Sequence, residues 1–147
     1  MKECRFEKSD KSIIFTFPAK LEIVDQVCKQ VDLLLREKAL DRLVFDVQLL
    51  VREILNNCIF HGCNMDAEKE VYMECVLEEK NIIIRAQDSG AGFNWREFID
   101  RCVPDDTCIN GRGLEIVCLY ADSVEFNKQG NKVQIKKNIK PKTKNAE

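Results

Sequence analysis

The chain has 147 residues, of which 45% are hydrophobic, and a formal net charge of -2. This length suits one compact domain, and the apolar content can build a core, so a largely disordered protein is excluded. The near-neutral charge gives no general attraction to nucleic acid or to an anionic membrane, and the apolar runs are too short to span a bilayer. Residues 1–8 are too charged for the apolar core of a signal peptide, so a cytoplasmic location is expected.

The first part of the chain predicts one strand and two helices. Residues 12–17 are β-branched and aromatic, which is typical of a strand. Apolar residues then recur at helical spacing over residues 22–38 and again over residues 41–61. Asp41 is the predicted N-cap of the second helix, and Gly62 is its predicted end.

The middle of the chain predicts a hairpin followed by two helices. Residues 71–77 and 81–87 read as strands, and the short polar connection between them predicts an antiparallel pair. A capping-box pattern predicts a short helix over residues 95–101. Residues 103–110 lack any periodicity and are expected to form a loop, and an apolar face predicts a helix over residues 114–121.

The last elements complete the expected fold. Residues 123–126 and 132–136 predict a second hairpin. Residues 141–147 are aperiodic and lysine-rich, so a disordered tail is expected after a single domain of residues 1–140. Strands that come in hairpins among helices predict an α+β sandwich, in which helices cover one face of a mixed, largely antiparallel sheet.

The eight cysteines do not indicate a metal or disulfide framework. No pair has the Cys-x-x-Cys spacing, and the chain contains a single histidine. Several of the cysteines fall within apolar periodic segments, where a thiol behaves as a small hydrophobic group. Reduced thiols are therefore expected.

A polar stripe interrupts the apolar second helix. Glu53, Asn57 and His61 lie four residues apart, which places them on one face of a helix. Each of them taken alone has an ordinary structural explanation, as a solvated side chain or a helix-end residue. Together they suggest a carboxylate that takes up a proton and an amide oxygen that binds magnesium, an ion that prefers oxygen ligands and keeps several waters.

Two glycine clusters follow the polar helix. In the first, Asp88-Ser-Gly-Ala-Gly-Phe93, the carboxylate of Asp88 follows a strand and can accept a hydrogen bond from an exocyclic amine, while Gly90 and Gly92 let a base lie against the backbone. Such a run taken alone is also a common turn composition.

The second cluster, Gly111-Arg-Gly-Leu114, stands at the start of a predicted helix. Backbone N–H groups at Gly111 and Gly113, the helix dipole and the Arg112 guanidinium suit phosphate. The pattern predicts a site for a nucleotide with magnesium.

In this order, the three motifs resemble those of the Bergerat-fold ATPases, the superfamily that includes DNA gyrase and the sensor histidine kinases. Glu53-x-x-x-Asn57 resembles the N box, Asp88-x-Gly-x-Gly92 the first glycine box and Gly111-x-Gly113 the second. The similarity extends over residues 12–137. It is greatest to the anti-sigma factor serine/threonine-protein kinases of bacterial partner-switching systems, through His61-Gly62 after the N box and through the segments around residues 111–126 and 130–133.

The resemblance implies a kinase that binds ATP and Mg²⁺ on a helix-over-sheet sandwich. It assigns the base to Glu53, magnesium to Asn57 and adenine recognition to Asp88. It also extends the nucleotide-binding set to the remaining members of the boxes, namely His61, Gly90, Gly92, Phe93, Gly111, Arg112, Gly113 and Leu114. The implied partners are an anti-sigma factor antagonist, which is phosphorylated, and a sigma factor, which is sequestered, with a homodimer as a possible assembly and no direct contact with nucleic acid or membrane.

Two other functions remain open at this point. One is a detached catalytic domain of histidine-kinase type that acts in trans, because the single histidine follows the N box and does not lie on a dimerisation helix. The other is a non-catalytic module that uses ATP to set its shape for a partner.

Overall fold

A six-stranded sheet forms the scaffold of the described part of the protein. The computed structural model describes residues 3–90 and 112–139. The strands lie in the order β1-β2-β3-β4-β6-β5, and every neighbouring pair is antiparallel. Their bounds are Arg5–Lys8 (β1), Ser12–Pro18 (β2), Glu70–Leu77 (β3), Asn81–Asp88 (β4), Ser123–Phe126 (β5) and Lys132–Asn138 (β6).

Within residues 3–90 and 112–139, three α-helices accompany the sheet: Glu22–Glu37 (α1), Val44–Asn57 (α2) and Arg112–Tyr120 (α3). A short 3₁₀ turn, Asp41–Leu43, precedes α2, and a π-helical turn, Cys58–Gly62, continues it. The predicted α+β class and helix-over-sheet arrangement are confirmed, with a sheet in which all described pairs are antiparallel.

Alternation along the strands creates the core. In β3, Val71, Met73, Cys75 and Leu77 are buried, whereas the residues between them are only half-buried. Such alternation with a period of two directs one face of the sheet into the core. The helices present their apolar residues to the same core at helical spacing, as Val24, Val27, Cys28 and Val31 do in α1.

Two sequence expectations need correction. Asp41 does not cap the second helix, because its carboxylate accepts a hydrogen bond from Arg36 at 3.1 Å and no side-chain cap bond forms at the start of the 3₁₀ turn or of α2. The stretch predicted as one helix over residues 41–61 is in fact three helical segments of different type. The structure also adds β1, an edge strand that the sequence pattern did not predict.

The predicted hairpins agree with the structure to within two residues at each strand end. The predicted helix over residues 95–101, the loop over residues 103–110 and the tail over residues 141–147 lie outside the described residues. Within residues 3–90 and 112–139, no helix is long and apolar enough to cross a membrane.

Candidate functional site

The polar stripe of α2 ends in a π-helical turn. Glu53 and Asn57 lie one α-helical turn apart and both are half-buried. After Asn57 the helix widens, and the Cys63 N–H donates to the carbonyl oxygen of Cys58 at 2.8 Å. Because this turn closes on the fifth residue rather than the fourth, the half-buried His61 does not continue the Glu53–Asn57 line as it would on a straight α-helix.

Asp88 is a buried carboxylate at the end of the inner strand β4. Only 4% of the residue is exposed, and its Oδ1 accepts a hydrogen bond from the Gly90 N–H at 2.8 Å. Burial raises the pKa of the Asp88 carboxyl above its ordinary value, and this effect exceeds the opposing influence of the Gly90 N–H and of Lys69. The result is a desolvated acceptor with one backbone donor.

Two glycines allow β4 to approach the π-helical turn. A Cβ on Gly62 would overlap the carboxylate of Asp88, and a Cβ on Gly90 would overlap the carbonyl group of Gly62. These positions therefore require glycine for space. Their absent side chains let the end of α2 and the end of β4 meet at the Asp88 carboxylate.

A pocket that opens to solvent lies at this meeting point, and the space between protein atoms there, including open solvent, amounts to about 300 Å³. It brings together Asn57 from the polar helix and Asp88 from the first glycine cluster, whereas Glu53, His61 and Gly90 are not part of its lining. The lining consists of Ile54, Asn57, Cys58, Ala86, Asp88, Phe126, Gly130, Asn131, Lys132 and Val133.

Glu53 lies one turn before the pocket residue Asn57. Partial burial raises the pKa of its carboxyl above the ordinary value. Within residues 3–90 and 112–139, no side chain forms a hydrogen bond or an ion pair with this carboxylate. A carboxylate with a raised pKa is a stronger base once ionised, and this is the property that proton abstraction requires.

The second glycine cluster is described only in part. Helix α3 begins at Arg112, so Arg112, Gly113 and Leu114 form its first turn, two residues earlier than the sequence predicted. Gly92, Phe93 and Gly111 lie outside the described residues.

The β5–β6 hairpin supplies a side of the pocket that the sequence analysis did not identify. Phe126, Gly130, Asn131 and Lys132 all line the cavity. The Asn127-Lys-Gln-Gly-Asn131 run reads as an ordinary turn between two strands, and the family resemblance around residues 130–133 assigned no role to these side chains.

The protein side chains do not form a metal cage in the described part of the chain. Among residues 3–90 and 112–139, no group of three or more His, Cys, Asp or Glu residues is placed to hold a metal ion. A divalent cation at this pocket would need oxygens from a ligand and from water besides the amide oxygen of Asn57. This donor set fits Mg²⁺, which retains waters and binds phosphate oxygens.

Comparison with known proteins places the site in context. A family model described as a histidine kinase-like ATPase domain matches residues 17–137. The chain is also similar to an anti-sigma F factor of Oceanobacillus iheyensis, with 28% identity over 122 residues, which cover 80% of this chain and 82% of the relative.

The glycine contacts predict a specific pattern of coupling. Gly62→Ala should destabilise the protein by about 1–3 kcal/mol, the usual cost of overpacking. Its added methyl group overlaps the Asp88 carboxylate, so the penalty should fall in an Asp88→Ala background. Gly90→Ala serves as the control, because it overlaps the Gly62 backbone and should stay destabilising in both backgrounds. Urea unfolding of the single and double variants measures the coupling, and additive penalties for Gly62→Ala and Asp88→Ala would contradict it.

The raised pKa of Asp88 predicts a pH-dependent cost to stability. The folded protein favours the protonated form of Asp88, and this preference adds to the free energy of unfolding. The added stability is fully present below the unfolded-state pKa of about 4 and is lost as pH rises through the raised folded-state pKa. Asp88→Asn should therefore melt at a higher temperature than the parent at neutral pH, with the difference shrinking towards acid pH.

Thermal melts of the parent and of Asp88→Asn between pH 4 and pH 8 measure the difference in melting temperature, starting near the unfolded-state pKa of an aspartate, which is about 4. Asp10→Asn is the control, because Asp10 is exposed and its pKa is lowered by a hydrogen bond from Lys38, so that variant should give no gain at neutral pH. A parent that is as stable as Asp88→Asn at neutral pH would show that burial of the ionised Asp88 carboxylate does not lower the stability of the protein.

Proposed function

The chain belongs to the histidine kinase-like ATPase family, and on that basis we propose that it is an ATP-dependent anti-sigma factor serine/threonine-protein kinase. In this proposal it binds ATP and Mg²⁺, phosphorylates an anti-sigma factor antagonist and otherwise sequesters a sigma factor. The observation that carries the proposal is the pocket shared by the buried acceptor Asp88 and the amide of Asn57.

Asp88 suits recognition of an amino-substituted base. Its buried carboxylate has one backbone donor, so it retains capacity to accept a hydrogen bond from the exocyclic amine of adenine. The apolar lining next to it, including Ile54, Ala86 and Val133, matches the faces of a purine ring. A base without a donor at this position would leave the buried carboxylate unpaired, which is the basis for selection.

Asn57 and the first turn of α3 suit the phosphate end of the nucleotide. The Asn57 side-chain oxygen would hold Mg²⁺ together with phosphate oxygens and water. The backbone N–H groups at the start of α3, around Arg112 and Gly113, would bind phosphate at a helix N-terminus. His61, Gly90, Gly92, Phe93, Gly111 and Leu114 complete the proposed nucleotide-binding set.

Glu53 is the proposed general base. The γ-phosphoryl group comes from ATP, which is the substrate. Glu53 accepts the proton of the antagonist's serine or threonine hydroxyl while the hydroxyl oxygen bonds to the γ-phosphorus and the bond between this phosphorus and ADP breaks. Partial burial, which raises the pKa of this carboxyl, favours proton uptake.

The partners follow from the relative's name and are part of the proposal. The similar protein from Oceanobacillus iheyensis is an anti-sigma F factor. We assign to this chain a sigma factor, an antagonist protein and a possible homodimer as partners, all in the cytoplasm and without direct contact to nucleic acid or membrane.

The proposed magnesium site predicts different effects of Asn57 and Asp88 variants on ATP affinity. Asn57→Ala should lose the difference between ATP affinity in magnesium and in EDTA, because the proposed ligand oxygen is gone. Asp88→Asn should instead weaken ATP binding by about 1–3 kcal/mol in both conditions, since the hydrogen bond it loses goes to the base. Asn56→Ala is the matched control, because Asn56 is also half-buried on α2 but does not line the pocket. Calorimetry that finds a normal magnesium effect in Asn57→Ala would refute the metal assignment.

Phosphoryl transfer tests the function as a whole. The parent protein is incubated with γ-labelled ATP and candidate antagonist proteins, and the modified residue is identified. Phosphoserine or phosphothreonine on an antagonist supports the proposal. Phosphohistidine would indicate the histidine-kinase alternative, and no transfer to any cognate antagonist would indicate a non-catalytic module.

The same assay isolates Glu53. A base acts only in the transition state, so Glu53→Gln should bind ATP normally and transfer phosphate about 10²–10⁴-fold more slowly. Glu79→Gln, at an exposed position in the β3–β4 turn, should behave as the parent does. Equal transfer rates in Glu53→Gln and the parent would rule out this role.

A further inference from the structure

Asn131 enters the pocket beside Asp88. The Asp88 N–H donates to the carbonyl oxygen of Asn131 at 3.0 Å, which extends the β4–β6 ladder beyond its last registered pair, Gln87 and Lys132. Residues directly opposite in an antiparallel ladder direct their side chains to the same face of the sheet. Both side chains therefore belong to the face that carries the pocket, and both residues line it.

The turn before β6 fixes the orientation of the neighbouring Asn127 amide. Its Oδ1 accepts backbone N–H groups from Gly130 at 2.8 Å, Asn131 at 3.1 Å and Lys132 at 3.2 Å. An amide nitrogen cannot accept these donors, so the atom that faces them must be the carbonyl oxygen. The Nδ2 group of Asn127 is therefore a donor on the other side of the amide.

This orientation determines that of Asn131. Asn127 Nδ2 donates to Asn131 Oδ1 at 2.7 Å, so the side-chain oxygen of Asn131 faces the turn. The Nδ2 group of Asn131 remains a donor, and among residues 3–90 and 112–139 no acceptor bonds to it. The pocket thus presents a carboxylate acceptor from Asp88 next to an amide donor from Asn131.

We propose that Asn131 is a specificity-determining residue of the nucleotide site, whose Nδ2 group donates to a ring nitrogen of adenine next to the exocyclic amine. This inference rests on the proposed binding of ATP. In adenine the amine donor is flanked by two acceptor nitrogens, N1 and N7. An acceptor–donor pair on the protein complements such an edge, whereas guanine would place its O6 acceptor against the Asp88 carboxylate.

The test compares ATP with 1-deaza-ATP and 7-deaza-ATP, which each lack one of the two ring nitrogens. By calorimetry, the parent should bind one of these analogues about tenfold more weakly than ATP, because the donor of Asn131 is left without a partner. The analogue that binds weakly identifies the ring nitrogen.

Two variants should abolish this discrimination. Asn131→Asp keeps an oxygen for Asn127 Nδ2 but removes the donor, and Asn131→Ala removes the whole amide. Both should bind ATP and the weak analogue with equal affinity, whatever their overall affinity. Gln129→Ala, an exposed residue of the same turn that does not line the pocket, should retain the parent's ratio.

The remaining outcomes overturn the proposal. Parent protein that binds ATP and both analogues equally, or variants that keep the parent's ratio, would show that Asn131 does not contact the base while leaving ATP binding intact. A parent that binds no ATP would overturn the proposed function together with this inference.

Discussion

The candidate site depends on one steric constraint, the close approach of the end of β4 to the π-helical turn that follows α2. Gly62 and Gly90 make this approach possible because neither carries a side chain at the contact. The approach buries the carboxylate of Asp88, which raises its pKa and leaves it with one backbone donor. A buried carboxylate with a raised pKa is expected to cost stability at neutral pH, and such a cost is common at functional sites.

The sheet holds that acceptor from both sides. Asp88 lies opposite Val71 of β3 and donates its N–H to Asn131 beside β6, so two neighbouring strands fix the end of β4. Lys137 of β6 in turn pairs with Asp46 of α2 at 3.0 Å and donates to the carbonyl oxygen of Tyr120 at 2.8 Å. These contacts join the hairpin side of the pocket to α2 and α3, so the helix that carries Asn57 and the strands beside Asp88 form one framework.

Local sequence patterns predicted those features that depend only on local periodicity. The alternation in β3 and the four-residue spacing of Glu53 and Asn57 are of this kind. Tertiary contacts decide the remainder. The π-helical turn brings Gly62 against Asp88, a contact between residues far apart in sequence. The exposed strand β1 has no apolar alternation and is held by backbone pairing with β2, by an aromatic contact at 5.8 Å, and by ion pairs of Arg5 with Glu70 and of Lys8 with Glu37. Asp41 was predicted as a cap, but a nearby arginine competes for its carboxylate. The chemical roles of the site residues stay predictions.

The contact between the two glycines and Asp88 also restricts how this protein can evolve. Positions 62 and 88 are far enough apart in sequence to mutate separately, yet the side chain at position 88 occupies the space that a side chain at position 62 would need, and position 90 lies against the backbone of Gly62. A replacement at position 62 is tolerated only after the side chain at position 88 has become smaller, and that change removes the buried acceptor. Sequence drift at positions 62 and 88 must therefore be concerted, and no side-chain change at either position makes room for a side chain at position 90, whereas an exposed strand such as β1 is free to change one residue at a time.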